Sequence, residues 1–138
     1  EDYDNMQYYN DTKQQCPWWR ETMISEKLYK NIYMKRPFLV AGDKHVLSLL
    51  HSFGFKTFDR ILFDESYDLI NSYAERLNAV LTQAVDIVEQ NSITELQAKI
   101  NSDEVQSVLE HNFNVLEQIK QQHMNNLLHT ENIFNGSA

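Results

Sequence analysis

The stretch Ile24–Asp68 decides the predicted fold and reads ISEKLYKNIYMKRPFLVAGDKHVLSLLHSFGFKTFDRILFDESYD. Ser25 is a suitable helix N-cap, because its hydroxyl can accept a hydrogen bond from a backbone N–H of the first turn. Apolar residues recur four positions apart, at Ile24, Leu28 and Ile32, which predicts one apolar helical face. The helix must end before Pro37, since the residue that precedes a proline is pushed towards extended geometry.

The residues after Pro37 predict two short strands around a second helix. Phe38–Ala41 is a continuous apolar run, which is typical of a strand covered on both faces in a parallel sheet. Val46–Phe53 has helical apolar spacing, with Gly54 placed as its C-terminal cap. Lys56–Phe58 is the second candidate strand. The order of elements predicts an α/β fold, a small parallel Rossmann-like half-domain followed by a helical C-terminal section.

The helical section is predicted from capping signals and apolar periodicity. Ser72 and Ser92 each precede a glutamate by three positions, which is the sequence form of a capping box. We expect a helical hairpin folded on the α/β unit rather than a coiled coil. The predicted organisation is an N-terminal arm with an aromatic strip at 1–23, an α/β core at 24–71 and a helical section at 72–138.

Three motifs in this stretch resemble the C-terminal part of a glycosyltransferase-like family found in viral and bacterial sequences. They are SEK at 25–27, GFKTF at 54–58 and DESYD at 64–68. Further matching residues are Tyr29, Lys30, Pro37, Phe38, Leu47, Leu50 and Arg76. The SEK helix is distantly similar to the TEK helix of fucosyltransferases, which have two facing Rossmann-like domains. The family pattern usually has Thr at position 25, and its N-terminal acceptor domain has no counterpart in these 138 residues.

The resemblance implies that Ser25, Glu26 and Lys27 bind a nucleotide-sugar donor. Elementary chemistry is compatible with that role, because a helix N-terminus attracts phosphate through its unpaired N–H groups and its dipole. Lys27 adds a positive charge, and Glu26 can accept hydrogen bonds from ribose hydroxyls. Arg20 and Lys30 are secondary phosphate-binding candidates. The alternative is an ordinary capped helix with charges on its surface.

The acidic DESYD loop has several interpretations. Tyr67 and Asp68 either face the same cleft as the donor or lock the loop through hydrogen bonds to the backbone. Asp64, Glu65 and Asp68 could offer oxygen ligands to a divalent cation. A single acidic loop is more often a solvated turn, so we predict no metal site and no cofactor besides the nucleotide-sugar substrate.

Other catalytic signatures are missing from the sequence, and the catalytic residues stay unassigned. Its three glycines form no phosphate-binding loop. No Cys/His cluster has zinc spacing, and no serine lies in a nucleophile-elbow context. A serine or cysteine hydrolase is therefore not expected.

Charge and aromatic residues indicate the kind of partner. The net charge of −8 argues against a nucleic acid or an anionic membrane surface, and no run is apolar enough to span a membrane. Trp18 and Trp19 either pack on the core or on another protein domain or chain, or form a stacking platform for a base or sugar ring. The single cysteine favours a reducing compartment, such as the cytoplasm, including that of a virus-infected cell.

These observations predict a nucleotide-sugar-binding C-terminal domain of a glycosyltransferase-like protein, incomplete for catalysis alone. The alternative is a non-catalytic interaction or structural module derived from such a domain, with Trp18 and Trp19 as its contact surface. A third interpretation is a helical adaptor in which the α/β part is only a scaffold.

Overall fold

The computed structural model describes residues 24–135, with side chains up to residue 129. Within this range the elements are α1 Glu26–Tyr33, α2 Val46–Ser52, a 3₁₀ helix Glu65–Leu69, α3 Tyr73–Glu89, α4 Ile93–Ile100 and α5 Asp103–Asn135. The predicted arm, with Trp18, Trp19 and Arg20, lies outside the described residues.

The predicted α/β fold class is wrong, and with it the Rossmann-like half-domain. Between residues 24 and 135 there is no β-sheet, only an isolated bridge between Asp59 and Phe63. Phe38–Ala41 is irregular chain. Phe38 is buried, but Leu39 and Val40 are only partly covered and Ala41 is exposed. An apolar run becomes a strand only where a second strand pairs with it, and the described residues offer none.

The second predicted strand is absent because side chains occupy its backbone groups. Asn112 Oδ1 accepts from the N–H of Lys56 at 2.7 Å, and Asn112 Nδ2 donates to the carbonyl of Lys56 at 2.8 Å. The N–H of Phe58 donates to the carboxylate of Glu65 at 2.9 Å. These contacts satisfy the backbone as a neighbouring strand would, so Thr57 and Phe58 stay buried without a sheet.

One hydrophobic core joins the first half of the described chain to the helical section. Leu28 and Ile32 of α1 lie in it, where the four-residue spacing placed them. Phe38 packs edge-on against Phe58, with ring centroids 5.2 Å apart. The other buried apolar members are Val46, Leu47, Leu50, Phe55, Tyr67, Val80, Val105, Val108 and Leu109.

The helices predicted after residue 72 are present. Ser92 and Glu95 form the full capping box at the start of α4, while at α3 the Ser72 hydroxyl accepts from the N–H of Glu75. Gly54 follows α2 with φ +90°, a conformation that favours glycine. None of the described helices combines the length and the apolar character that a membrane crossing requires.

Helix α5 is the longest of the described helices. Its 33 residues correspond to about 50 Å, and it contributes Val105, Val108, Leu109 and Asn112 to the buried interior. Every side chain from 118 to 129 is exposed. The C-terminal half of α5 therefore projects beyond the core.

Candidate functional site

The start of α1 is the site that the sequence proposes for a nucleotide. Ser25 is the N-cap residue with extended geometry, φ −73° and ψ 153°, but its hydroxyl makes no capping hydrogen bond. The side chains of Ser25, Glu26, Lys27 and Lys30 are all exposed. The first N–H groups of an α-helix have no acceptor within the helix. The polar side chains at this end of α1 are therefore in contact with solvent.

The GFKTF and DESYD motifs meet at the carboxylate of Glu65. Its Oε2 accepts from the hydroxyl of Thr57, and its Oε1 accepts from the N–H of Phe58. The N–H of Glu65 donates in turn to Asp59 Oδ1 at 3.1 Å. Burial raises the pKa of Glu65, while the hydrogen bonds from Thr57 and Phe58 act to lower it. The two motifs form one hydrogen-bonded unit.

His51 extends this unit towards the surface. Its Nε2 lies 3.0 Å from Thr57 Oγ1. The one hydroxyl proton of Thr57 goes to Glu65, so the imidazole must donate, and Nε2 carries a hydrogen. In the neutral ring Nδ1 is then a hydrogen-bond acceptor. The result is a relay of hydrogen bonds from His51 through Thr57 to Glu65, which fixes the orientation of the imidazole.

Tyr67 and Asp68 are buried residues that fix the loop to α2. Asp68 Oδ1 accepts from the N–H of Leu47 at 3.3 Å, and the carbonyl of Asp68 accepts from the N–H of His45 at 3.2 Å. Burial raises the pKa of the Tyr67 phenol, which also has a hydrogen bond with the backbone of Val40. Both side chains are thus engaged in holding neighbouring backbone segments together.

Arg76 holds the short segment between the 3₁₀ helix and α3 against the rest of the fold. Its guanidinium is buried and donates to three carbonyls: from Nε to Gly42 at 3.0 Å, and from Nη1 to Ile70 at 2.6 Å and Asn71 at 3.3 Å. No carboxylate of the described residues lies within salt-bridge distance of it. The sequence matched Arg76 to a family pattern but assigned it no contact, because its partners are backbone atoms.

A groove of about 580 Å³ opens between α2 and the segment 59–69. Its walls include Ser48, His51, Phe63, Glu65 and Asp68, and its volume falls within the range of small-molecule sites. The relay therefore borders a cavity, which the sequence did not indicate. His51 lies six positions before Thr57, a spacing that belongs to no recognised motif.

The predicted nucleotide site and the predicted cleft loop are not brought together. The groove is lined by Asp68, but by none of Ser25, Glu26, Lys27 or Lys30. Within the described part of the chain, no group of three or more His, Cys, Asp or Glu residues is placed to hold a metal ion. Comparisons with protein-family models, with curated proteins and with solved structures found no match for this chain.

Proposed function

We propose that residues 24–69 bind the nucleotide part of a nucleotide-sugar donor at the start of α1, as part of a glycosyltransferase-like protein. The observation that supports it best is the open N-terminus of α1, where the Ser25 hydroxyl makes no capping bond and Glu26 and Lys27 are exposed. The resemblance of the SEK, GFKTF and DESYD motifs to glycosyltransferase-like sequences indicates a nucleotide-sugar as the ligand class.

The binding chemistry is that of a phosphate at a helix end. The diphosphate accepts hydrogen bonds from the first N–H groups of α1 and lies at the positive end of the helix dipole. Lys27 and Lys30, three residues apart and so on neighbouring positions of the helix surface, neutralise its charge. Glu26 accepts hydrogen bonds from ribose hydroxyls.

The other two motifs act as a scaffold in this proposal. Glu65, Asp68 and Arg76 join α2, the 3₁₀ helix and α3 through hydrogen bonds to the backbone. Sugar transfer also requires an acceptor site, and we assign none here. The proposed activity is therefore donor binding, with transfer completed by a further domain or chain.

Calorimetric titration with nucleoside diphosphates tests the proposal. We expect Glu26→Ala and Lys27→Ala each to weaken binding roughly tenfold, because each removes a contact worth about 1.4 kcal/mol. Lys99→Ala removes an exposed lysine in the last turn of α4 and serves as the control. The proposal fails if no nucleotide binds at about 1 mM, which corresponds to about −4 kcal/mol.

The second candidate is the interaction module, and exposed apolar residues favour it. On α3, Leu81, Val85 and Val88 are 54%, 50% and 64% exposed. On the projecting half of α5, Met124 and Leu128 are also exposed. Apolar surface that is concentrated on one helix face is typical of protein contact sites.

A further inference from the structure

Helix α3 has an exposed stripe on the face that points away from the core. Its members alternate in spacings of four and three residues: Ala74, Asn78, Leu81, Val85 and Val88. Buried Arg76 and Val80 lie on the other side of the helix, since residues of an α-helix are separated by about 100°. We call this stripe the α3 seam. All five of its side chains are exposed, so no described part of the chain covers the seam.

The α3 seam has the residue pattern of a two-stranded coiled coil. Val85 and Asn78 occupy one set of core positions, and Ala74, Leu81 and Val88 occupy the other. In parallel dimers, a β-branched residue at the first set and leucine at the second favour two strands, and one asparagine in the first set fixes the register. The α3 sequence has the β-branched residue and the asparagine in the first set, Val85 and Asn78, and one leucine in the second set, Leu81.

We propose that the α3 seam binds the α3 seam of a second copy of this chain, in a parallel pair. The inference gives a partner to the interaction-module candidate and rests on that candidate, not on nucleotide binding. Asn78 is the residue that selects a second copy. An amide carries both a donor and an acceptor, so two Asn78 side chains across a two-fold axis satisfy each other.

The charges beside the seam favour the parallel arrangement. Glu75 and Glu89 are exposed and lie on the same flank of the seam, fourteen positions apart. In an antiparallel pair this flank meets itself, so Glu75 of each copy would lie next to Glu89 of the other. In a parallel pair it meets the opposite flank, where Leu77 and Ala84 are uncharged. The antiparallel pair therefore has two like-charge contacts that the parallel pair avoids.

The length of the seam sets the expected strength of association. The 17 residues of α3 extend over about 25 Å. Such a contact buries less than the roughly 800 Å² per partner of a standard protein interface. We therefore expect a dimer that dissociates at micromolar concentrations rather than a permanent one.

Sedimentation of the full chain from about 1 μM to about 1 mM tests the pair. We expect the mass to rise from one chain to two across this range. Val85→Glu and Asn78→Asp place like charges opposite each other in the dimer but lie on the surface of the monomer, so both should weaken association at least tenfold with unchanged circular dichroism. Thr94→Glu adds the same charge at an exposed position of α4 and should leave the mass unchanged.

Disulfide formation tests whether the two α3 helices of the pair are parallel. In a Cys16→Ser background, which removes the single native cysteine, Val85→Cys introduces one thiol per chain. A parallel pair places the two new cysteines opposite each other, within the Cα separation of about 5.5 Å that a disulfide prefers. We expect a covalent dimer under mild oxidation, and an Asp86→Cys control should form far less of it.

Three results would overturn the inference. The chain could remain a monomer at about 1 mM, or it could associate equally well with Val85→Glu. Association could also be lost when Trp18 and Trp19 are both replaced by Ser, yet persist when a charge is inserted in α3. That result would assign the contact to the N-terminal residues. Nucleotide titration of Val85→Glu should match that of the wild type, so the two proposals fail separately.

Discussion

Glu65 accepts a hydrogen bond from the hydroxyl of Thr57 and another from the N–H of Phe58, at 2.9 Å for the latter. Thr57 and Phe58 are buried, with 8% and 0% of their surface exposed. One carboxylate therefore satisfies two groups that have little access to water. This relationship explains why the GFKTF and DESYD motifs act as one structural unit.

Replacing Glu65 by Ala should destabilise the fold by about 1–3 kcal/mol, because buried donors then lose their acceptor. Urea unfolding followed by fluorescence measures the free energy. Glu89→Ala removes an exposed carboxylate and should change the free energy of unfolding by less than about 0.5 kcal/mol. Equal stability of the Glu65 variant and the wild type would contradict the structural role.

The pH dependence of stability should reveal the ionisation of Glu65. Burial raises its pKa in the folded state above the ordinary value of 4.5, so the folded chain binds this proton more tightly than the unfolded chain. The stabilising effect is complete below pH 4.5 and is lost as the pH rises through the raised pKa. The difference in stability between wild type and Glu65→Gln should therefore fall with rising pH in that window.

The measurement for this effect is urea unfolding of both proteins across the acidic range. Asp64 and Glu95 have lowered pKa values because of backbone hydrogen bonds from Ser66 and Ser92, respectively. They act in the opposite direction, since the stability they add is lost as the pH falls. Their contribution is common to both proteins and cancels in the difference. A difference curve that rises with pH would show that the Glu65 pKa is lowered instead.

Arg76→Lys should cost about 2–4 kcal/mol, because a lysine ammonium cannot reproduce the geometry with which the guanidinium donates to three carbonyls. The carbonyls of Gly42, Ile70 and Asn71 would no longer share one planar donor group. Arg60→Lys is the matched control, since the Arg60 side chain is 92% exposed. Thermal unfolding of both variants gives the comparison, and equal melting temperatures would exclude a structural role for Arg76.

The sequence predicts those features that depend on neighbours within a few positions. The Ser92–Glu95 capping box and the positive φ of Gly54 follow from local chemistry, and both are present. The strand at Phe38–Ala41 requires a partner elsewhere in the chain, and an apolar run does not show whether that partner exists. The prediction therefore failed where pairing is non-local.

The same distinction applies to the candidate site. The contacts of Glu65 and Arg76 were not predicted, because both side chains bind backbone groups that no side-chain pattern records. The groove beside His51 depends on how α2 packs against residues 59–69. A distant contact of this kind joins Asn112 to Lys56, 56 positions apart.

Asn112→Ala provides the last test, because this side chain takes the place of a neighbouring strand. It is 1% exposed and both accepts from and donates to the backbone of Lys56. Its removal leaves the partly buried N–H and carbonyl of Lys56 without these partners and empties a buried side-chain site, so we expect a loss of about 2–4 kcal/mol in unfolding free energy. Asn114→Ala, two positions along α5 and exposed, should stay within about 0.5 kcal/mol of the wild type. Hydrogen exchange adds a local readout: the Lys56 amide should exchange much faster in Asn112→Ala, and unchanged protection would mean that Asn112 does not hold this segment.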